Sequence, residues 1–228
     1  MANDLGKYPI HTAAYYGCEF AIERLLDVGA EVDRVTENLY RQTALHVAAQ
    51  QGEANVCVRL VKAGAELTRR SASGFTPLLE AIYSRRYAAI GQLLALGTPL
   101  SLRAAVCLRQ AVIVQLLICD NPAIVHEEPD SADLVAEAVF FEGGTAVLRP
   151  LLEAGADPNS ARVSFHSLHS AAERGDQAAA ELLLAYGADP DRVVRAGAIT
   201  PRQFAEDLAN GGVGWALELF SRASKKPT

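Results

Sequence analysis

Aromatic side chains make up only 7% of this 228-residue chain, which holds one Trp, one Met and four Cys. Lysine occurs only at Lys7, Lys62, Lys225 and Lys226. No apolar run reaches the roughly 18 residues that a membrane-spanning helix requires, so no membrane span is expected. The opening stretch carries Asp4, Lys7 and Pro9 where a secretory leader would be apolar, which points to a cytoplasmic chain, with a nuclear or secreted effector as alternatives. The cysteines, Cys18, Cys57, Cys107 and Cys119, are irregularly spaced and form no C-x-x-C pair. Neither a disulfide framework nor a zinc site is expected from them; buried reduced thiols are.

A net charge of −6 argues against nucleic acid as the partner, since phosphate binding needs a basic surface. That charge is unevenly spread. Between Leu67 and Gln110 the bases Arg69, Arg70, Arg85, Arg86, Arg103 and Arg109 face one acid, Glu80, whereas Asp120 to Glu142 holds seven acids and no Lys or Arg. Such a dipolar surface orients a partner.

Catalytic motifs are also missing. Gly143-Gly144 and Gly211-Gly212 are isolated pairs without the continuation of a phosphate loop, and the nucleophile elbow, the H-E-x-x-H pair and a Cys/His couple do not occur. His126-Glu127-Glu128, ahead of Pro129, reads as solvated charge in a loop.

What the chain does have is alanine, about 40 residues of it within a hydrophobic share of 50%, the composition of closely approaching helices. It also has a repeat. Leu25-Leu26-Asp27-Val28-Gly29-Ala30 returns as Leu60-Val61-Lys62-Ala63-Gly64-Ala65, Leu93-Leu94-Ala95-Leu96-Gly97-Thr98, Leu151-Leu152-Glu153-Ala154-Gly155-Ala156 and Leu183-Leu184-Ala185-Tyr186-Gly187-Ala188. The glycines are 35, 33 and 32 residues apart where consecutive units are intact. Eighteen residues before three of them stand His11, His46 and His169; twelve before four of them stand Gly17, Gly52, Gly143 and Gly175. Three markers in fixed phase define a structural unit.

Each unit reads as an extended turn such as Glu66 to Phe75, a short helix such as Thr43 to Gln51, a glycine turn, and a longer helix such as Ala54 to Ala63 closed by glycine. Thr76-Pro77 supplies an N-cap and a proline at the first helical position.

The strings Tyr8-Pro9-Ile10-His11-Thr12-Ala13-Ala14, Thr43-Ala44-Leu45-His46-Val47-Ala48-Ala49, Thr76-Pro77-Leu78-Leu79 and Ser167-Leu168-His169-Ser170-Ala171-Ala172 resemble the opening motif of the ankyrin repeat family. Gly155-Ala156-Asp157-Pro158-Asn159 and Gly187-Ala188-Asp189-Pro190-Asp191 resemble its closing motif. The resemblance implies an all-α solenoid of helix-turn-helix units with β-turn fingers. It further implies a non-catalytic role in binding a protein or peptide, without cofactor or metal. One ankyrin domain over 1–228 is expected, with repeats near 5–33, 34–67, 68–99, 100–122, 123–158, 159–191 and 192–224 and a polar cap at Ser221, Arg222, Ser224, Lys225 and Lys226. No comparable cap precedes Pro9, so either the first unit caps itself or the chain continues upstream.

The fourth repeat is short. Leu102 follows Gly97 by only five positions, so the finger is lost while helices remain at Leu102 to Leu108 and Gln110 to Cys119. The resulting notch is either drift or a partner pocket.

By the resemblance, the repeated histidines bridge backbone groups of adjacent repeats rather than hold metal. His166 and His169, three apart, are a weak metal alternative. The residues before each turn glycine and those at the finger tips face partners: Tyr15/Tyr16, Gln50/Gln51, Tyr83/Ser84, Val106/Cys107, Phe141/Glu142 and Glu173/Arg174, with Leu39, Tyr40, Gln42, Arg70, Ser73, Phe75, Arg162 and Phe165 from the fingers. Tyr15, Tyr16, Tyr40, Gln50, Gln51, Arg70, Phe75, Tyr83, Arg86 and Phe165 form the expected partner-binding set, rich in the residue types of interface hot spots. The bland alternative is that some of these aromatics pack against the next unit. A monomeric module taking a partner with an acidic segment is the leading expectation. Alternatives are the adaptor or effector arm of a larger complex, such as a ligase substrate receptor, although no recruitment box follows Lys226. A small-molecule binder or enzyme using a cavity at Leu102, Val106 and Cys107 is a third class.

Overall fold

The computed structural model describes residues 6–127, 134–141, 145–162, 165–193, 199–211 and 214–223. It divides into two compact units, residues 1–104 and 105–228.

In the first unit three helix pairs follow one another: α1 (Pro9–Tyr15) with α2 (Glu19–Asp27), α3 (Ala44–Gln51) with α4 (Ala54–Lys62), and α5 (Pro77–Tyr83) with α6 (Tyr87–Ala95). First helices pack on first helices, α1 on α3 and α3 on α5, and second helices likewise, α2 on α4 and α4 on α6. Alanine permits this. Ala13, Ala14, Ala48 and Ala49 are buried where first helices meet, and Ile22, Cys57, Leu60 and Leu93 fill the layer beneath. The starts follow capping chemistry: the Thr43 and Thr76 hydroxyls accept the N–H groups of His46 and Leu79, and Pro77 takes a position whose N–H would be unpaired.

Helix α7 (Leu102–Cys107) contains the division between the units. The second unit continues with α8 (Ala111–Asp120), the single turn α9 (Ile124–Glu127), α10 (Leu134–Phe140) and α11 (Thr145–Glu153). A ribbon of β1 (Ala161–Arg162) and β2 (Phe165–His166) precedes α12 (Ser167–Arg174), α13 (Gln177–Ala185), α14 (Pro201–Asn210) and α15 (Trp215–Ala223). The packing pattern is the same, with α10, α12 and α14 in one row and α8, α11, α13 and α15 in the other. His126 and Glu127 therefore lie in a helical turn rather than a loop; Glu128 lies outside the described residues. No helix among the described residues is long and apolar enough to cross a membrane.

The turn between paired helices requires a left-handed residue, and Gly17, Gly52 and Gly175 supply it with φ of 67°, 88° and 71°. In the third and fourth repeats the same place is held by Arg85 (φ 55°) and Arg109 (φ 57°). Neither repeat has a glycine twelve residues ahead of its closing turn, yet the turn forms with arginine strained into it. The shortened fourth repeat keeps both helices, but α8 fully buries only Val114 and ends at Asn121 in extended geometry, without the left-handed glycine that follows α2, α4, α6, α11 and α13.

Candidate protein-binding face

The fingers are held from below by the repeated histidines. His46 Nδ1 accepts the Thr43 N–H at 3.2 Å, which leaves the ring proton on Nε2, and Nε2 donates to the Phe75 carbonyl of the next finger at 2.9 Å. His11 does the same between Tyr8 and Arg34 at 3.1 and 2.8 Å, and His169 between His166 and Ile199 at 3.1 and 3.2 Å. Burial is the first cause that lowers all three pKa values, those of His46 and His169 to about 4. The rings are neutral staples. His166 and His169 stack at 5.7 Å, but His166 Nδ1 is spent on the Asn159 carbonyl at 3.1 Å. Among the described residues no group of three or more His, Cys, Asp or Glu side chains is placed to hold a metal ion.

Six residues before each left-handed turn, the histidine place is taken by Leu79 in the third repeat and Arg103 in the fourth. Glu137 takes it in the fifth, six before Gly143, which lies outside the described residues. Arg103 is 4% exposed, so it is not part of an arginine-lined surface. Its guanidinium sits 5.5 Å from the Phe75 ring and donates from Nη2 to the Tyr83 hydroxyl at 3.3 Å. Glu137 is fully buried and accepts from the Cys107 thiol at 3.5 Å. Spacing from Gly143 puts Glu137 at the histidine position in the sequence alone, whereas Arg103 is placed there only by the left-handed Arg109.

The partner-facing residues separate into three groups. Tyr15 and Tyr16 are exposed and meet edge to face at 5.1 Å, with the Lys7 ammonium 4.8 Å from the Tyr15 centroid. Tyr40 is 60% exposed and Leu39 92% exposed at a finger tip, while the Tyr40 backbone is fixed by the Asn38 side chain at 3.1 Å and by the Ala72 N–H of the next finger at 2.8 Å. Arg70 and Arg86 are exposed but braced, Arg70 donating to the Gly74 carbonyl at 2.9 Å and Arg86 to the Gln50 carbonyl at 3.1 Å.

Phe75 and Tyr83 form the second group. They are half-buried and stacked on each other at 4.7 Å and 9°, beside Arg103, rather than standing alone as outward anchors. Gln50 and Gln51 are half-buried as well.

The third group faces inward. Gln42 is buried and donates to Glu80 Oε1 at 2.9 Å; burial raises the Glu80 pKa, and the Gln42 bond partly offsets it. Val106 and Cys107 are buried with Leu102, so the places expected to line a notch cavity are core. The side chains of Arg162 and Phe165, and Glu142 altogether, lie outside the described residues. Sequence reading also passed over Phe20 and Tyr87, exposed at 72% and 78% on second helices, because it assigned contact only to first helices and fingers.

A family model of three ankyrin repeats matches residues 10–104, and a single ankyrin repeat matches 165–194. Residues 105–164, between the two, hold α8 and the Glu137 repeat, where the motif is most altered. The mouse (Mus musculus) protein ankyrin repeat and SOCS box protein 16 is 31% identical over 235 residues, covering 94% of this chain and 51% of that protein. A Caenorhabditis elegans homolog of transient receptor potential cation channel subfamily A member 1 is 37% identical over 71 residues, 31% of this chain and 6% of the channel. The chain thus spans about half the length of the first relative and a small part of the second. The crystal structure of the human ASB11 ankyrin repeat domain superposes with a TM-score of 0.58 at 25% identity, covering 97% of this chain and 100% of that one. A chain from the complex of a predatory endopeptidase with its immunity protein, from Bdellovibrio bacteriovorus, gives a TM-score of 0.53 at 18% identity over 97% of this chain and 100% of that one, and shares the fold. Phased histidine staples, left-handed turns and matched family models together make this chain a member of the ankyrin repeat family.

Proposed function

We propose that the chain is a non-catalytic interaction module that binds a partner protein through its fingers and first helices, within the first unit above all. The observation that carries this is the Leu39-Tyr40 tip: two apolar side chains held out in water on a backbone locked to its neighbours. A rigid exposed tyrosine loses little entropy when it binds, the property that makes tyrosine a recurrent hot spot. Exposed Arg41 and Arg70 put positive charge on the fingers and Arg85 and Arg86 put it at the far ends of the first helices, which favours an acidic stretch on the partner.

The similarity to an ankyrin repeat and SOCS box protein supports a finer reading, in which the module is the substrate-recognising arm of a larger assembly. Affinity purification with mass spectrometry tests the reading, comparing the wild type with Tyr40→Ala and with Arg70→Glu/Arg86→Glu. Partners enriched by the wild type and lost from both variants support it; an unchanged set of captured proteins counts against it.

A further inference from the structure

In the second unit, an open groove of about 880 Å³ lies between the C-terminal ends of α13 and α15 and the start of the finger that follows α13. Leu184 and Leu219 form its apolar floor, and Glu181, Asp189, Asp191 and Arg222 stand at its edges. Among the described residues the charges do not balance. Arg222 pairs with Glu218 on its own helix, and Arg202 grips Asp191 at 2.6 and 3.0 Å. Glu181 accepts a neutral amide, from Gln177 at 2.7 Å, and Asp189 accepts the Asp191 N–H at 2.8 Å and shares the attraction of Arg202 with Asp191, so among the described lining residues three carboxylates stand against one arginine.

Helix polarity adds to it. Both nine-residue helices end at the groove, and the carbonyl ends of helices attract cations.

The edge of the groove departs from the repeat. In the preceding finger, Asn159, four residues past its glycine, accepts the Asp189 N–H of the next finger at 2.7 Å. Asp191 is the equivalent residue one repeat later, but its carboxylate is taken by Arg202, which stands where an intact opening motif has leucine.

We infer that this groove is a second docking site, for a partner segment that is apolar along one side and carries lysine or arginine beside it. Leucine-type side chains enter between Leu184 and Leu219, and a cationic head reaches Glu181, Asp189 and the two helix ends. The groove's openness suits a chain segment rather than an enclosed small molecule.

The test uses the full chain and a fluorescein-labelled amphipathic helical peptide of leucine and lysine, followed by anisotropy at about 150 mM salt, where diffuse attraction is screened. A leucine-glutamate peptide is the control. The inference expects binding of the lysine peptide alone and a loss of at least about tenfold in Glu181→Lys/Asp189→Lys. No change is expected in Asp27→Lys/Glu31→Lys, which adds the same charge elsewhere, or in Tyr40→Ala, so this site and the finger face fail separately. Equal binding of both peptides, or equal weakening by the two lysine pairs, overturns it. So does a tenfold gain of affinity in Lys225→Ala/Lys226→Ala, which would make the chain's own end the occupant.

Discussion

His46 reaches across one repeat to the Phe75 carbonyl at 2.9 Å, while the Phe75 ring stacks on Tyr83 at 4.7 Å. One finger residue is thereby held twice, by its backbone and by its ring. Replacing His46 with alanine leaves the Phe75 carbonyl and the Thr43 N–H without this partner and is expected to cost about 1–3 kcal/mol. Urea unfolding measures it. At low temperature the variant should still bind whatever the wild type binds; lost binding with an unchanged melting temperature would make the ring part of the interface.

The same histidine sets a pH dependence. Its folded pKa, about 4, lies below the free value of 6.5, so the unfolded chain takes up a proton that the folded chain refuses. The stability it contributes is complete above pH 6.5 and is lost as pH falls toward 4, up to about 3 kcal/mol. Glu80, with its pKa raised, works in the opposite sense, but it is common to the wild type and to His46→Gln. The difference in unfolding free energy between those two should therefore shrink on acidification. A difference constant from pH 7 to pH 4 would contradict the buried neutral ring.

Arg85 holds a left-handed turn at φ 55° that its side chain makes costly. Arg85→Gly is expected to stabilise the chain by up to about 1 kcal/mol, because the strain relieved exceeds the backbone entropy that glycine adds to the unfolded state. Destabilisation by chemical denaturation would mean that the arginine side chain holds more than its backbone loses.

Phe75→Ala and Tyr83→Ala should each lower stability by about 1–3 kcal/mol. A stacked pair is worth about 0.5–1.5 kcal/mol beyond the area it buries, and Arg103 loses its ring or its hydroxyl as well. If either variant unfolds like the wild type, the ring is a surface anchor after all.

The fold was legible in the sequence because its markers are backbone requirements. Gly29, Gly64 and Gly187 close helices at positive φ, and His46 needs a carbonyl one repeat away, so both leave a fixed spacing. Where another residue takes the place the spacing hides it, as with Arg85 and Arg109 in the turns and Arg103 at the histidine place, whereas Glu137 was legible because Gly143 keeps its phase. The binding face was legible only in part. Tyr40 and Gln42 are two residues apart on one finger, yet one stands in water and the other is buried against Glu80, a difference set by a contact 38 residues away. The groove between α13 and α15 corresponds to no recurring motif.

The central claim is that the Tyr40 tip recognises a partner without supporting the fold. Tyr40→Ala should unfold within about 0.5 kcal/mol of the wild type, as an exposed side chain does. With a partner captured by the wild type, its affinity should fall by about 2 kcal/mol or more, roughly thirtyfold. Measuring Kd by titration calorimetry on a variant of confirmed stability decides it: a thirtyfold loss is the predicted result, and an unchanged Kd would contradict the account.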